Sequence, residues 1–311
     1  MSNLKVNTIN DASGGSNAVL YGVASPPNSM GFRNRIINGN MAVAQRATSA
    51  TVTAGTAVPT ASTGYPAVDR FFVYSTGANV TAARVAGSGS TQYRMQITGA
   101  ASVTNIGVGQ RIEQLNSYDL AGGNAILSVD LANSVLTTVT WTASYANTAD
   151  TFGTVGTPTK TLIATGTFTV NSTVTNYTAP IAVPAAATTG IEIFLSVGAQ
   201  TSGTWTIGNM QLEAGTVASN FERVDYGRKL IQCQRYCQII APNFNVGYTV
   251  SATVLQSGGP YVFPTVMRIA PTLTGGAYTV NTGAAGTVAI WYSSSNSVNL
   301  LNSANIWTIG A

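Results

Sequence analysis

The sequence has no histidine. A serine or cysteine nucleophile therefore lacks its commonest base, and a metal site lacks its commonest ligand. Cysteine is nearly as scarce: Cys233 and Cys237 alone fall short of the usual four-ligand zinc set. Spaced four apart on an expected helix, their sulfurs are held away from each other, so they read as two small apolar residues on a packed face. Charge is the third shortage. Charged residues make up 8% of the chain, against about 25% in an average domain. The formal charge of +4 comes from scattered residues of both signs, and no Lys/Arg tract with interleaved aromatics is present to follow a phosphate backbone. Nucleic acid is not an expected partner. No apolar run approaches the roughly 20 residues of a membrane-spanning helix. Met1-Ser-Asn-Leu-Lys-Val lacks a signal-peptide core, so synthesis and folding in a cytoplasm are expected.

Catalytic chemistry is equally thin. Glycoside cleavage takes a pair of carboxyl groups, and Asp119, Asp130, Glu192, Glu213 and Glu222 fall singly in different expected elements. No catalytic residue, metal ligand or cofactor is assigned, and calcium is left open. Gly87-Ser-Gly89 and Gly107-Val-Gly109 lack the strand-to-helix setting of a phosphate loop and read as turn glycines.

Gly, Ser, Thr and Asn fill the space left by charge, beside an ordinary 45% of hydrophobic residues. A surface with so little like-charge repulsion suits assembly. At 311 residues the chain exceeds one usual domain. Residues 1–31, rich in Asn, Ser, Gly and Pro, read as an extended N-terminal segment without a core of its own. Within 32–222, short alternating stretches at 70–74, 93–97, 109–113, 125–131, 138–145, 162–170, 190–197 and 204–207 point to a two-sheet β-sandwich or jelly roll. The period then changes over 223–241. Tyr226, Leu230, Cys233, Cys237 and Ile240 recur at spacings of four and three, one face of a linker helix, and Asp225 stands at its N-cap. Further stretches at 246–254, 261–263, 277–280, 287–292, 297–301 and 306–309 make a second small β-sandwich unit of 242–311. A unit of that size is marginal alone and would gain burial from the first sandwich or from copies of itself. The expected fold class is therefore all-β: a jelly roll, a short helix and a second small β domain.

Three groups of residues carry a resemblance. Trp205-Thr-Ile-Gly-Asn-Met-Gln-Leu-Glu213 with Asn220-Phe-Glu-Arg223 and Asp225-Tyr-Gly-Arg-Lys-Leu-Ile-Gln-Cys-Gln-Arg-Tyr236 is the first. Asn34-Arg-Ile-Ile-Asn-Gly-Asn-Met41 with Gln45-Arg46 and Tyr65-Pro-Ala-Val-Asp-Arg-Phe-Phe72 is the second, and Phe263-Pro-Thr-Val-Met-Arg-Ile-Ala-Pro-Thr272 the third. In this order they resemble the distal adhesin part of bacteriophage tail fibres, which has a carbohydrate-binding-module-like jelly roll joined to a C-terminal sandwich. The resemblance implies a homotrimeric, non-catalytic virion protein that binds host surface polysaccharide and docks through residues 1–31 on other phage tail or virion proteins. A structural virion part, such as a capsid decoration or tail collar protein, is the competing reading, and a glycan depolymerase the third.

Sugars are recognised by aromatic faces that stack on C–H surfaces and by polar groups that bond hydroxyls. On the jelly roll the candidates are Trp141 and Tyr145, which share one face of their strand, while Trp205 reads as core. In the terminal unit Tyr261, Trp291, Tyr292 and Trp307 are concentrated enough for the same role.

Overall fold

Alternation of apolar with small polar residues turns most of 49–214 into strands, which the computed structural model arranges in two antiparallel sheets. The structure describes residues 32–55, 57–60, 64–240, 247–251, 254–257, 261–275, 278–279, 285–286, 289–293, 297–301 and 307–310. For 240, 247–251, 254–257, 261 and everything described from 272 onward, it describes the backbone alone. Packing separates Met1–Arg33 from Asn34–Ala311, and both sheets belong to the second unit.

The six-stranded sheet runs β1 (Ser49–Val52), β3 (Val80–Ala86), β4 (Tyr93–Thr98), β11 (Thr204–Ala214), β6 (Asn124–Asn133) and β9 (Thr175–Ala182). The five-stranded sheet runs β2 (Phe72–Thr76), β5 (Asn105–Ile112), β10 (Ile191–Val197), β7 (Thr138–Ala146) and β8 (Lys160–Thr169). Between them lies one core, in which Val73, Val108, Ile193 and Leu195 belong with Ile97, Leu127, Leu131 and Trp205. Each such side chain, removed from water, contributes about 1.5–3 kcal/mol. The sandwich is the all-β fold the alternation implied.

All eight stretches read as strands are strands, and β1, β3 and β9 are additional. β9 carries Pro180, which argues against a central strand; it forms the sheet's edge, where a missing N–H breaks no ladder. Two expectations need correction. The helix is shorter than its apolar period suggested: α1 spans Tyr226–Gln234, and Cys237–Ile240 is a strand, β12, paired with Trp307–Gly310. Consecutive Ile239 and Ile240 suit a strand, and the partner strand supplies the hydrogen bonds a further helical turn would have made. Asp225 does cap α1, accepting from Arg228 N at 3.2 Å. Gly107-Val-Gly109 is not a turn but the middle of β5, whereas Gly87 and Gly89 do sit at the β3–β4 turn.

The segment 34–46, though not a strand, joins the parts. Asn34 reaches the last strand of the sandwich, donating to Met210 O at 3.1 Å and accepting from Leu212 N at 3.1 Å. A Cβ on Gly39 would stand 2.0 Å from Met210 O, so this contact requires glycine. The buried Gln110 amide grips Ile37 from both sides, accepting from its N–H at 2.7 Å and donating to its carbonyl at 2.8 Å. Gln45 Nε2 donates to Asp69 Oδ2 and, at 2.9 Å, to Cys237 O. Sandwich and β12 are thereby tied together by polar side chains, and Ile37 and Val43 pack with Cys233 of α1.

Candidate functional site

In β5 the even-numbered residues Ile106, Val108 and Ile112 enter the core, so Gly107, Gly109 and Arg111 face outward. Register puts Phe72 opposite Gly109 on one side and Phe194 opposite Gly109 on the other, and Glu192 opposite Arg111. All of these point away from the core. Glycine at both floor positions lets two rings lie flat on the backbone. A Cβ at Gly107 would stand 2.0 Å from Phe194 Cζ, and one at Gly109 2.4 Å from Phe72 Cζ. Phe72 and Phe194 stack with centroids 5.9 Å apart and planes at 18°. Phe72 is fully buried and Phe194 only partly, with partly buried Tyr74 on the same face.

Ions border this shelf. Glu192, whose side chain is 1% exposed although it lies on the outer face, accepts from Arg111 Nε at 2.8 Å and pairs with Lys160. Lys160 also stands 5.7 Å from the Phe194 ring centre, and Arg111 5.5 Å from that of Phe72. Two cations on one carboxylate leave a net positive edge, and a desolvated pair of this kind is costly to break from one side, about 3–5 kcal/mol.

Past Arg111 the same face ends in a cavity of about 150 Å³ lined by Tyr65, Arg70, Glu113, Asp150, Phe152, Tyr236 and Arg268, among others. Arg70 holds a left-handed backbone, φ +76°, unusual for a non-glycine residue. It carries its guanidinium 3.3 Å above the Tyr236 ring while donating to Arg111 O at 2.5 Å. Arg235, at the end of α1, donates to Glu113 Oε2 at 3.0 Å and so draws Tyr236 against the sandwich. Asp150 Oδ1 accepts from Gln114 N at 2.7 Å. Burial, then the Glu113 carboxylate, push the Tyr236 hydroxyl up to about 12 against the lowering pull of Arg70, so it stays protonated at any physiological pH.

No protein-family model matches the chain, and no curated protein matches it. Several solved structures do. A CBM4 structure matches with 12% identity and a TM-score of 0.38, over 57% of this chain and 98% of that one. A CBM61 solved with β-1,4-galactotriose matches with 11% identity and a TM-score of 0.35, over 59% and 99%. The enzymatically active domain of bacteriophage CBA120 tailspike protein 4 matches with 15% identity and a TM-score of 0.34, over 58% of this chain but 21% of that one. Likeness at this distance says nothing of what this chain binds.

The aromatics singled out from the sequence fall elsewhere. Trp141 and Tyr145 do share a face, but it is the inner one. Trp141 is 8% exposed, with its indole beneath Gly166, where an added Cβ would stand 2.8 Å from Nε1. Its ring is filled in by Gly166 and Phe168 and offers no open face for stacking. Tyr145 is partly buried against the same core, and Trp205 is wholly buried, as read. Tyr261, Trp291, Tyr292 and Trp307 lie on strands whose side chains are outside the described residues. Phe72, Phe194 and the cavity residues are not among the sugar-contact candidates of the sequence, because their meeting depends on long-range strand pairing, of Phe72 with Gly109 and of Gly109 with Phe194. The one legible signal was Gly107-Val-Gly109 inside an otherwise alternating stretch. Among the described residues no three Cys, Asp or Glu converge as a metal site would require.

Proposed function

We propose that this chain is a non-catalytic glycan-binding protein of a bacteriophage virion, a tail fibre that attaches to host surface polysaccharide. The observation that carries the binding half is Phe194: a partly open ring, laid flat on a glycine floor with Lys160 at its border and Tyr74 on the same face, meets the two demands of a sugar, an apolar face and groups for its hydroxyls. The virion half rests on the order of the sequence segments that resemble tail-fibre adhesins. Glu113 and Asp150 do share a cavity, but each is engaged, by Arg235 and by Gln114 N, in holding the local structure. Assembly as a homotrimer, with residues 1–31 docking on the virion, completes the reading. It is supported by large apolar side chains left in the open around the helix, Val217, Tyr226 and Ile231 at 80%, 56% and 50% exposure.

A glycan array probed with the full chain, followed by titration of its best oligosaccharide, tests the binding half. Binding that Phe194→Ala removes supports it, and a blank array, or binding indifferent to Phe194→Ala, overturns it. Mass photometry at micromolar concentration should show three copies per particle; a monomer refutes the assembly. Release of reducing ends from the bound oligosaccharide would show a depolymerase instead.

A further inference from the structure

The cavity beside the shelf is lined by the guanidiniums of Arg70, Arg111 and Arg268 and by the carboxylates of Glu113 and Asp150. Partners outside the cavity cancel part of this charge. Arg235 neutralises Glu113 at 3.0 Å, and Arg111 pairs with Glu192 at 2.8 Å. Glu192 takes Lys160 as well, so one cation of that group is left over. Asp69, next in sequence to Arg70, gives both its oxygens to Gln45 and is offset by Arg46 in the adjoining recess. Among the described residues no carboxylate stands within ion-pair reach of Arg70 or Arg268. Asp150, its Oδ1 spent on Gln114 N, is the only charge left to oppose Arg70, Arg268 and Lys160 among the residues named here. This end of the sheet is therefore net positive.

Arg70 makes the imbalance costly. It is 8% exposed, and a buried charge is normally met by an opposite one. Its guanidinium instead lies on the Tyr236 ring and donates to the Arg111 carbonyl, neither of which carries a negative charge, and a strained left-handed backbone holds it there. Arg268 is set differently. Its backbone is fixed against α1, since its N–H donates to Arg235 O at 2.9 Å, Arg235 Nη1 donates to Val266 O at 3.2 Å, and Met267 between them is buried. Its side chain is partly exposed and finds no hydrogen-bond acceptor among the described residues. A guanidinium on a fixed stem, with its donors free, suits the two oxygens of a carboxylate. Arg70 need not touch that anion, because a charge in a desolvated wall acts through its field. Tyr65 and Phe152 add apolar wall, and the volume of about 150 Å³ is several times the roughly 30 Å³ of a liquid water, so a carboxylate can enter with the ring that bears it.

We propose that this cavity is a subsite for an acidic sugar, its carboxylate held by Arg268 in the field of Arg70 and Arg111 and its ring against Tyr65 and Phe152. The subsite rests on the glycan-binding reading and adds to it a ligand class: the polysaccharide carries a sugar acid, and a neighbouring residue of the same chain lies over the shelf. Aromatic surface connects the two places. Tyr65 meets Phe72 edge-on with centroids 6.5 Å apart, and Phe72 stacks on Phe194. Arg111 stands at the boundary, over Phe72 on one side and 5.2 Å from the Phe152 ring centre on the other.

The test uses the full chain and a panel of small probes: D-glucuronate, D-galacturonate and N-acetylneuraminate, against methyl α-D-glucoside, methyl β-D-galactoside and inorganic phosphate, titrated by NMR with arginine side chains nitrogen-labelled. At least one sugar acid should bind in roughly the millimolar range, shift the Arg268 Nε signal and weaken as salt is added, and the uncharged sugars should leave that signal in place. Arg268→Gln breaks no side-chain bond among the described residues, so it should melt with the unaltered protein while weakening the acid about ten- to a hundredfold. Arg268→Lys keeps the charge without the fork and should fall between the two. Phe194→Ala should leave the single acid unaffected while weakening the oligosaccharide. No binding of any acid, equal binding of an uncharged sugar, or unchanged affinity in Arg268→Gln overturns the subsite. Phosphate binding tighter than that of every acid also overturns it, by assigning the charge to a phosphate substituent. Oligosaccharide binding that survives such a result and is lost on Phe194→Ala leaves the shelf reading intact, whereas a protein that binds neither probe nor oligosaccharide refutes both.

Discussion

Gly107→Ala and Gly109→Ala are the same chemical change two residues apart on one strand, and the structure predicts opposite balances of stability against binding. Neither glycine has a left-handed backbone, so alanine fits the chain itself, and reduced freedom of the unfolded state even returns about 0.4–1 kcal/mol to each variant. What differs is the ring above. The new Cβ at 107 would stand 2.0 Å from Phe194 Cζ, and Phe194 is partly open, so it can swing outward. The loss is then its stacking on Phe72 and some burial, about 1–2 kcal/mol. The new Cβ at 109 meets Phe72 at 2.4 Å and Phe194 Cδ2 at 3.0 Å, and Phe72 is fully buried beneath Arg111. With no direction of escape the strain goes into the backbone, about 3 kcal/mol or more. In a domain of this size each kcal/mol lowers Tm by about 2–4 °C, so Gly109→Ala should melt clearly below Gly107→Ala in a fluorescence-monitored scan. Binding should rank in the other way per degree lost: Gly107→Ala, still folded at the assay temperature, should lose oligosaccharide affinity about tenfold because its platform has moved. Wild-type affinity in a folded Gly107→Ala chain would refute Phe194 as the contact, and equal melting points would refute the burial argument.

Alkaline pH should destabilise the protein in a defined window. Burial raises Cys237 from 9.0 to about 12, Tyr236 from 10.0 to about 12, and Cys233 in the same direction. Because the folded values lie above the unfolded ones, this stability is complete below pH 9 and is lost as pH rises from about 9 to 12; a urea midpoint constant up to pH 11 would contradict it. The same burial predicts that neither thiol reacts with a maleimide in the native protein and that both react in urea, whereas fast native labelling would expose the packing at α1 and β12 as wrong. Gln110→Ala strips both hydrogen bonds from Ile37 and leaves two buried backbone groups unsatisfied, so a loss of about 2–5 kcal/mol is expected in chemical denaturation. A loss within error would mean that segment 34–46 is held by something else.

Period and turn chemistry made the sandwich legible, since a strand with one buried face must alternate. Where alternation is written in small residues, as in Val80-Thr-Ala-Ala-Arg-Val-Ala86, or interrupted by Pro180, the strand was not seen. The helix was over-extended for the converse reason: Cys237 and Ile240 continue the helical spacing by coincidence, and only the distant partner strand at 307–310 decides their conformation. The site failed at a different level. Trp141 and Tyr145 were correctly placed on one face of β7, but a period of two says that residues share a face without saying which face is inside. Phe72, Gly107, Gly109 and Phe194 are neighbours only through the order β2-β5-β10, which no local pattern encodes.

The segments that stood out in the sequence supply part of the lining of the cavity, Tyr65, Arg70, Tyr236 and Arg268, and also the frame around it. Asn34 binds the strand at Met210 and Leu212, Gln110 fixes Ile37, and Gln45 spans from Asp69, beside Arg70, to the carbonyl of Cys237, beside Tyr236. Arg235 closes the other side of Tyr236 through Glu113. Tyr236 is therefore held at both neighbours. A chain with only 14 Lys and Arg and 10 Asp and Glu has gathered Arg70, Arg111, Arg235, Arg268, Lys160, Glu113, Asp150 and Glu192 at this one end of its five-stranded sheet. Rigid support around a cavity is what a binding site needs to select one ligand geometry, because little ordering remains to oppose association.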